Sequence, residues 1–238
     1  MIRKICLICL MIAAGCEQRD DAASRSGAVR PVTVFAASSL REVVTDVAAE
    51  WSRRTGRLLR TQFEATSTLA RQIREGAGAD VFLTAAPEWL EDSSLIDRRD
   101  WLSNRLVLVV RQHAAAPDMN ALPSLALANA QVPAGKYAQA ALRHMHISLP
   151  ERVLYGDNVR DVLAKVAEGG AAAGIVYATD TLIDPRVRVV FEFPPDSHEP
   201  IVYSAGLLTT DGGAFFHALS ESWALELARG HGFTVLKP

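Results

Sequence analysis

The sequence predicts an α/β protein of two lobes, each a sheet flanked by helices. Three observations carry this. From residue 32 onward, short β-branched apolar runs alternate with amphipathic stretches. The strand-turn-helix unit that opens the series is echoed in the unit after it. From about Arg111 the texture loosens through HAAAPDMNALPSLA, a second alternating series begins, and a late strand is placed to return to the first. A chain of 238 residues, 49% of them hydrophobic, can fill two such lobes of roughly 100 residues each.

The first sixteen residues read differently. Arg3-Lys4 followed by ICLICLMIAAG is a charged segment and a short apolar one, the pattern of a secretory signal. The run is too short to span a bilayer as a mature helix. Ile12-Ala13-Ala14-Gly15-Cys16 resembles a lipobox, with Ala13 where Leu is usual, so Cys16 is expected to be lipidated and to anchor the protein at a membrane surface. All three cysteines lie here, and Cys6-Leu-Ile-Cys9 has no second ligand pair to make a metal or redox site. Residues 17–30, EQRDDAASRSGAVR, have no apolar period and read as a flexible tether.

Val32 to Phe35 is a short buried strand. Leu40, Val43, Val44, Val47, Ala48 and Trp51 then fall on one helix face. Ser39 is placed as N-cap with Glu42 completing a capping box. A helix start offers unpaired N–H groups and a partial positive charge, so the same turn can hold an anion. The second unit runs from a strand at 58–63 to a helix from Leu69 to about Glu75. Phe35-Ala-Ala-Ser-Ser39 and Phe63-Glu-Ala-Thr-Ser67 both set adjacent hydroxyls between strand and helix, at the sheet edge where ligands of parallel sheets bind.

Strands at 80–84 and 106–110, with Pro87 opening a helix between them, complete a βαβαβαβ order and imply a doubly wound layer. In the second series Pro133 suits the first position of a helix through KYAQAALRHM, which leaves the N–H of Ala134 free. Asp157-Asn158 caps another helix, with Val159, Val162, Leu163 and Val166 apolar at helical spacing. Ala173 to Tyr177 is a strand, and Tyr177 ends it either as a core tyrosine or as a ligand contact. A strand at 201–208 is expected to return to the first lobe near LVLVV, followed by a helix over 214–229 and a final strand over 233–236. The division expected is 31–108 and 206–238 for lobe 1, and 109–205 for lobe 2.

Composition and motifs exclude much. The net charge is −2, and losing Arg3 and Lys4 with the leader makes it more negative, so nucleic acid is not the expected partner. There is no GxSxG, HExxH, Walker loop or zinc-ligand set. His144 and His146 are two apart, the wrong spacing for a helical metal pair. A serine hydrolase using Ser38 or Ser39 lacks a nearby base. No enzyme activity is expected.

VTVFAASSL, STLARQI, GADVFLTA, VPAGKYAQAAL, NVRDVL, GIVYATD, FPPDSH and GFTVL, in this order from residue 31 to 236, resemble the periplasmic molybdate-binding proteins of ABC transporters. The resemblance implies a type II periplasmic-binding-protein fold with the oxyanion, molybdate and also tungstate, enclosed between the lobes. It implies delivery to an ABC permease, a monomer, no catalysis and no cofactor, and molybdenum present only inside its oxyanion, with no protein atom ligating it. By position it assigns ligand contacts to the hydroxyls of Ser39 and Thr66, the backbone N–H groups of Ala134 and Val159, and the hydroxyl of Tyr177, with Ser38 as a spacer. Thr66 stands where Ser is more usual, and the segment 127–131 and Asn158 are less acidic than the family pattern. Another tetrahedral oxyanion or a small organic anion is the alternative ligand, and a sensor contacting a membrane kinase the alternative role.

Overall fold

The computed structural model describes residues 30–91 and 94–236. The leader, Cys16 and most of the expected tether lie outside these residues. The chain forms two sheets, each covered by helices. The first contains β1 (Val32–Ala37), β2 (Leu59–Glu64), β3 (Val81–Thr84), β4 (Asp97–Ser103), β10 (Val202–Leu207) and β11 (Thr234–Val235), in the order β11-β4-β10-β3-β1-β2. The second contains β5 (Leu106–Arg111), β6 (Leu125–Ala128), β7 (Val153–Gly156), β8 (Ala173–Tyr177) and β9 (Val187–Glu192), in the order β7-β6-β8-β5-β9.

Helices α1 (Arg41–Thr55) and α2 (Thr66–Arg74) connect the parallel strands of the first sheet, where β1 pairs with β2 and β3. Helices α3 (Pro133–His144) and α4 (Val159–Ala167) do the same in the second, where β6 pairs in parallel with β7 and β8. In both lobes the βα turns therefore fall on one sheet edge. The apolar stripe of α1 is buried through Val43, Val44, Val47 and Trp51, and the Trp51 ring meets Phe215 edge-on at 5.6 Å.

The structure corrects several expectations. LVLVV does not belong to the first sheet: β5 lies between β8 and β9, antiparallel to both, and is buried on both faces along its apolar run. The expected lobe boundary at 108 thus cuts through a strand of the second sheet, and the crossing is the short link at 104–105. The returning strand β10 falls within the expected 201–208, so lobe 1 resumes at 202 and not at 206, and the strand pairs with β3 and β4 instead of LVLVV. Its partner β4 was hidden in the sequence by its charge. DRRDWLS is exposed at Asp97 and Arg98 because β11 covers only Leu102 and Ser103, leaving the rest of β4 as a sheet edge, where charge is favoured. Where a helix opened by Pro87 is expected after β3, Pro87–Leu90 form a 3-10 turn. The last helix is broken into α5 (Gly213–Ala218) and α6 (Ser222–Gly230), and the buried indole N–H of Trp101 donates to the Leu219 carbonyl at the break, 2.9 Å away.

Arg30, expected as the last residue of the tether, is held against the first lobe. Arg30 donates to both oxygens of Asp80 at 2.8 and 2.7 Å and to Asp211 at 2.9 Å. Burial pushes the Asp80 carboxyl up, but hydrogen bonds from Arg30, Thr209 and the Thr33 N–H outweigh it and hold the group below the usual carboxylate range.

The first turn of α3 presses on the end of β6. A Cβ at Gly135 would overlap the Asn129 carbonyl oxygen and lie 2.5 Å from that of Ala128. Gly135→Ala is therefore expected to lower unfolding free energy by about 1–3 kcal/mol in urea titrations. An unchanged midpoint would show that α3 can shift freely at this end.

Candidate functional site

The βα turns of the two lobes face one another across a small cavity of about 20 Å³. Its wall comes from five turns: Ala37 to Ser39 after β1, Ala65 and Thr66 after β2, Ala85 after β3, Pro133 and Ala134 at the start of α3, and Asn158 and Val159 at the start of α4. Tyr177, the last residue of β8, completes it. All five residues singled out from the sequence, Ser39, Thr66, Ala134, Val159 and Tyr177, are brought together here. Ser38, expected to be a spacer, lines the cavity as well.

Each group is presented by local backbone structure. Ser38–Leu40 form a 3-10 turn and α1 starts only at Arg41, without a side-chain cap. The expected capping box is absent: the Ser39 hydroxyl turns inward and accepts from Tyr203 at 3.2 Å, while Glu42 is engaged elsewhere. Thr66 is the first residue of α2, three earlier than the periodicity indicated, because the helix begins with the polar turn TST before its apolar stripe. Its Oγ1 accepts from the Ala85 N–H at 3.1 Å.

In α3, Pro133 has no N–H, and the N–H groups of Gly135 and Lys136 reach back to the Val132 carbonyl at 3.0 and 3.1 Å. Ala134 is thus the helix's first donor, and a first-turn N–H has no acceptor within its helix. In α4 the Asn158 side chain caps Arg160 and Asp161, accepting from their N–H groups at 2.9 and 3.2 Å. The donor it bypasses is Val159. The Tyr177 hydroxyl is buried without a hydrogen-bond partner. Burial holds its pKa well above the ordinary tyrosine value, so it remains a protonated donor.

No charged side chain is among the lining residues, and neither is a histidine. A nucleophile at Ser38 or Ser39 has no base within this wall. Among the described residues no group of His, Cys, Asp and Glu could hold a metal ion. What the wall supplies is hydroxyl and amide hydrogen at the positive ends of helices, an arrangement that fits an anion.

One feature of the site was misread in the sequence. Arg160, next to Val159 on lobe 2, donates to both oxygens of Glu42 on lobe 1, at 3.1 and 2.5 Å, and lies 3.4 Å from the Ser39 carbonyl. Its Nε is also 2.8 Å from Asp180 of lobe 2. Burial pushes the Asp180 carboxyl up to about 6, although Arg160 and the Tyr177 N–H pull the other way. This strap fastens the lobes beside the cavity, with the guanidinium charge answered by two carboxylates. The sequence signal is Glu42 itself: its position in the first turn of α1 suits a local cap, whereas the fold gives it a distant partner in Arg160.

Comparison with known proteins adds an independent line. Residues 32–234 match the family model described as bacterial extracellular solute-binding protein. The chain is 33% identical over 228 residues to the molybdate-binding protein ModA of Haemophilus influenzae, covering 86% of this chain and 90% of that one. It is 32% identical to the molybdate-binding protein ModA of Escherichia coli, covering 86% and 89%. Its fold superposes on the periplasmic molybdate-binding protein of Azotobacter vinelandii with a TM-score of 0.74 at 20% identity, covering 87% of this chain and 100% of that one.

A buried hydroxyl left unpaired costs about 1–3 kcal/mol. Tyr177→Phe is therefore expected to leave the ligand-free melting temperature unchanged or to raise it. A fall by a comparable amount would mean that the hydroxyl supports the fold and is not held in reserve for a ligand.

Proposed function

Because this chain belongs to the bacterial extracellular solute-binding protein family, we propose that it is a receptor that encloses molybdate between its lobes and hands it to an ABC permease. The observation that carries this reading is the uncharged wall of hydroxyls and helix-start residues contributed by both lobes, with the Tyr177 hydroxyl buried and unpaired. The relatives named for molybdate binding support the choice of oxyanion.

In this reading the hydroxyls of Ser39, Thr66 and Tyr177 and the N–H groups of Ala134 and Val159 donate to the oxygens of the dianion. Hydrogen bonds to a charged acceptor contribute roughly 1.5–3 kcal/mol each, so neutral donors suffice once water is excluded. Molybdenum is reached only through its own oxygens, and no protein atom ligates it. Tungstate, close in size and charge, is held in the same way. Sulfate is smaller and leaves some donors unfilled, and an oxyanion bearing a proton sets its O–H against a donor. Ser39 and Thr66 belong to lobe 1, whereas Ala134, Val159 and Tyr177 belong to lobe 2. The anion is therefore fully coordinated only when the lobes are closed, and release requires the Arg160–Glu42 strap to open.

The role is that of a carrier without catalysis or cofactor, and the protein acts as a monomer. The leader exports it, and lipidated Cys16 tethers it to the membrane surface through residues 17–29, within reach of the permease. A thermal-shift series with molybdate, tungstate, sulfate and phosphate tests the ligand. Ligand at about 100 times Kd should add roughly 2.7 kcal/mol of stability. Molybdate and tungstate are expected to raise the melting temperature and phosphate to leave it unchanged. A shift with another oxyanion alone would transfer the reading to that ligand, and no shift with any would overturn it.

A further inference from the structure

A serine hydroxyl can donate or accept, so its presence in the wall does not by itself make it a donor. The hydrogen bonds behind Ser39 fill one of its two acceptor sites and so favour donation into the cavity. Asn104 lies in the two-residue link between β4 and β5, at the first crossing between lobes. Its Oδ1 accepts from the Arg105 N–H at 2.9 Å, which identifies the other end of the amide as Nδ2. The two hydrogens of Nδ2 go to Thr179 Oγ1 of lobe 2 at 2.8 Å and to Tyr203 Oη at 3.2 Å. Tyr203 sits at the start of β10, at the second crossing, and has no exposed surface. Since its oxygen accepts from Asn104, its own proton goes to Ser39 Oγ, 3.2 Å away. Ser39 then has Tyr203 as a donor behind it and keeps its proton for the cavity. Thr66 is biased the same way from the backbone, because the Ala85 N–H fills one acceptor site of its hydroxyl.

We propose that Asn104 and Tyr203 are positioning residues that turn the Ser39 proton toward the cavity, and that this donor direction weights the site against oxyanions that carry a proton. The inference rests on the receptor reading above and concerns how that site selects. The relay runs from the Arg105 N–H through the Asn104 amide and the Tyr203 hydroxyl to Ser39, every proton pointing toward the cavity. A chain of bonds aligned this way also polarises the last hydroxyl and strengthens its donation. With the donor behind it removed, the Ser39 hydroxyl is free to rotate and accept from a ligand O–H. The relay starts at one crossing segment and passes through the other, so the two strands that join the lobes also aim the hydroxyl.

The test is calorimetric titration of the full chain with molybdate, with hydrogen phosphate read by competition. Tyr203→Phe keeps the ring and removes the relay. It is expected to weaken molybdate binding about tenfold, the order set by one hydrogen bond to a charged acceptor, and to narrow the preference for molybdate over hydrogen phosphate by a similar factor. Asn104→Ala, which leaves the tyrosine in place, is expected to change both in the same direction by a smaller factor, and it carries the test if the Tyr203 variant does not fold. The readout that packing alone would not move is the dependence on Ser39. In a Ser39→Ala background, Tyr203→Phe should change affinity and preference by less than about twofold. Equal effects of Tyr203→Phe in both backgrounds, or an unchanged molybdate-to-phosphate ratio, would overturn the relay while leaving the receptor reading intact. No molybdate binding by the unaltered chain would overturn that reading and the relay with it.

Discussion

A dianion that is to be buried without a counter-ion needs donors with no other commitment, and folded proteins keep few of these. Backbone N–H groups are almost all paired, and the regular exception is the first turn of a helix. The architecture of this protein follows from gathering that exception in one place. Parallel βα units set helix starts on one sheet edge, two such sheets face each other, and the starts of α2, α3 and α4 meet across about 20 Å³ of space. Asn158 illustrates the economy of the arrangement. It caps Arg160 and Asp161 and leaves Val159 uncommitted, while Pro133 deletes one N–H from α3 so that Ala134 provides the next.

The same constraint explains why charge stands back from the cavity. A lysine or arginine in the wall would bind many anions and release them slowly, and it would need its own partner whenever the ligand left. Here the guanidinium of Arg160, beside the cavity, is already matched by Glu42 and Asp180, so it joins the lobes without filling the cavity. The chain's net charge of −2 is consistent with capture by local dipoles. In the proposed reading, closure has two separable parts: an ion-pair strap between α1 and α4, and donors that are completed only by the ligand.

Much of this was legible in the sequence because it rests on short-range signals. Hydroxyl-rich turns after apolar strands, Pro at a helix start and Asn before an apolar helical stripe are local features, and each led to a residue that lines the cavity. What escaped were long-range choices. LVLVV reads as a strand but not as a strand of the second sheet, since a fully apolar run fits the centre of either. DRRDWLS did not read as a strand at all, because its edge position tolerates the charge that hides it. Ser39 and Glu42 matched a local capping pattern, yet both are claimed by residues more than a hundred positions away, Tyr203 and Arg160. Sequence spacing reveals what a turn can offer, whereas the partner is decided by packing.

The central claim is that uncommitted first-turn N–H groups hold the anion, and amide proton NMR reads them directly. In a nitrogen-labelled sample titrated with molybdate, the amide protons of Ala134 and Val159 should move strongly downfield and become protected from exchange, with the following amides of α3 and α4 moving far less. If those two amides stay in place while the largest changes fall on arginine or lysine side chains, the anion is held by charge and the account is wrong.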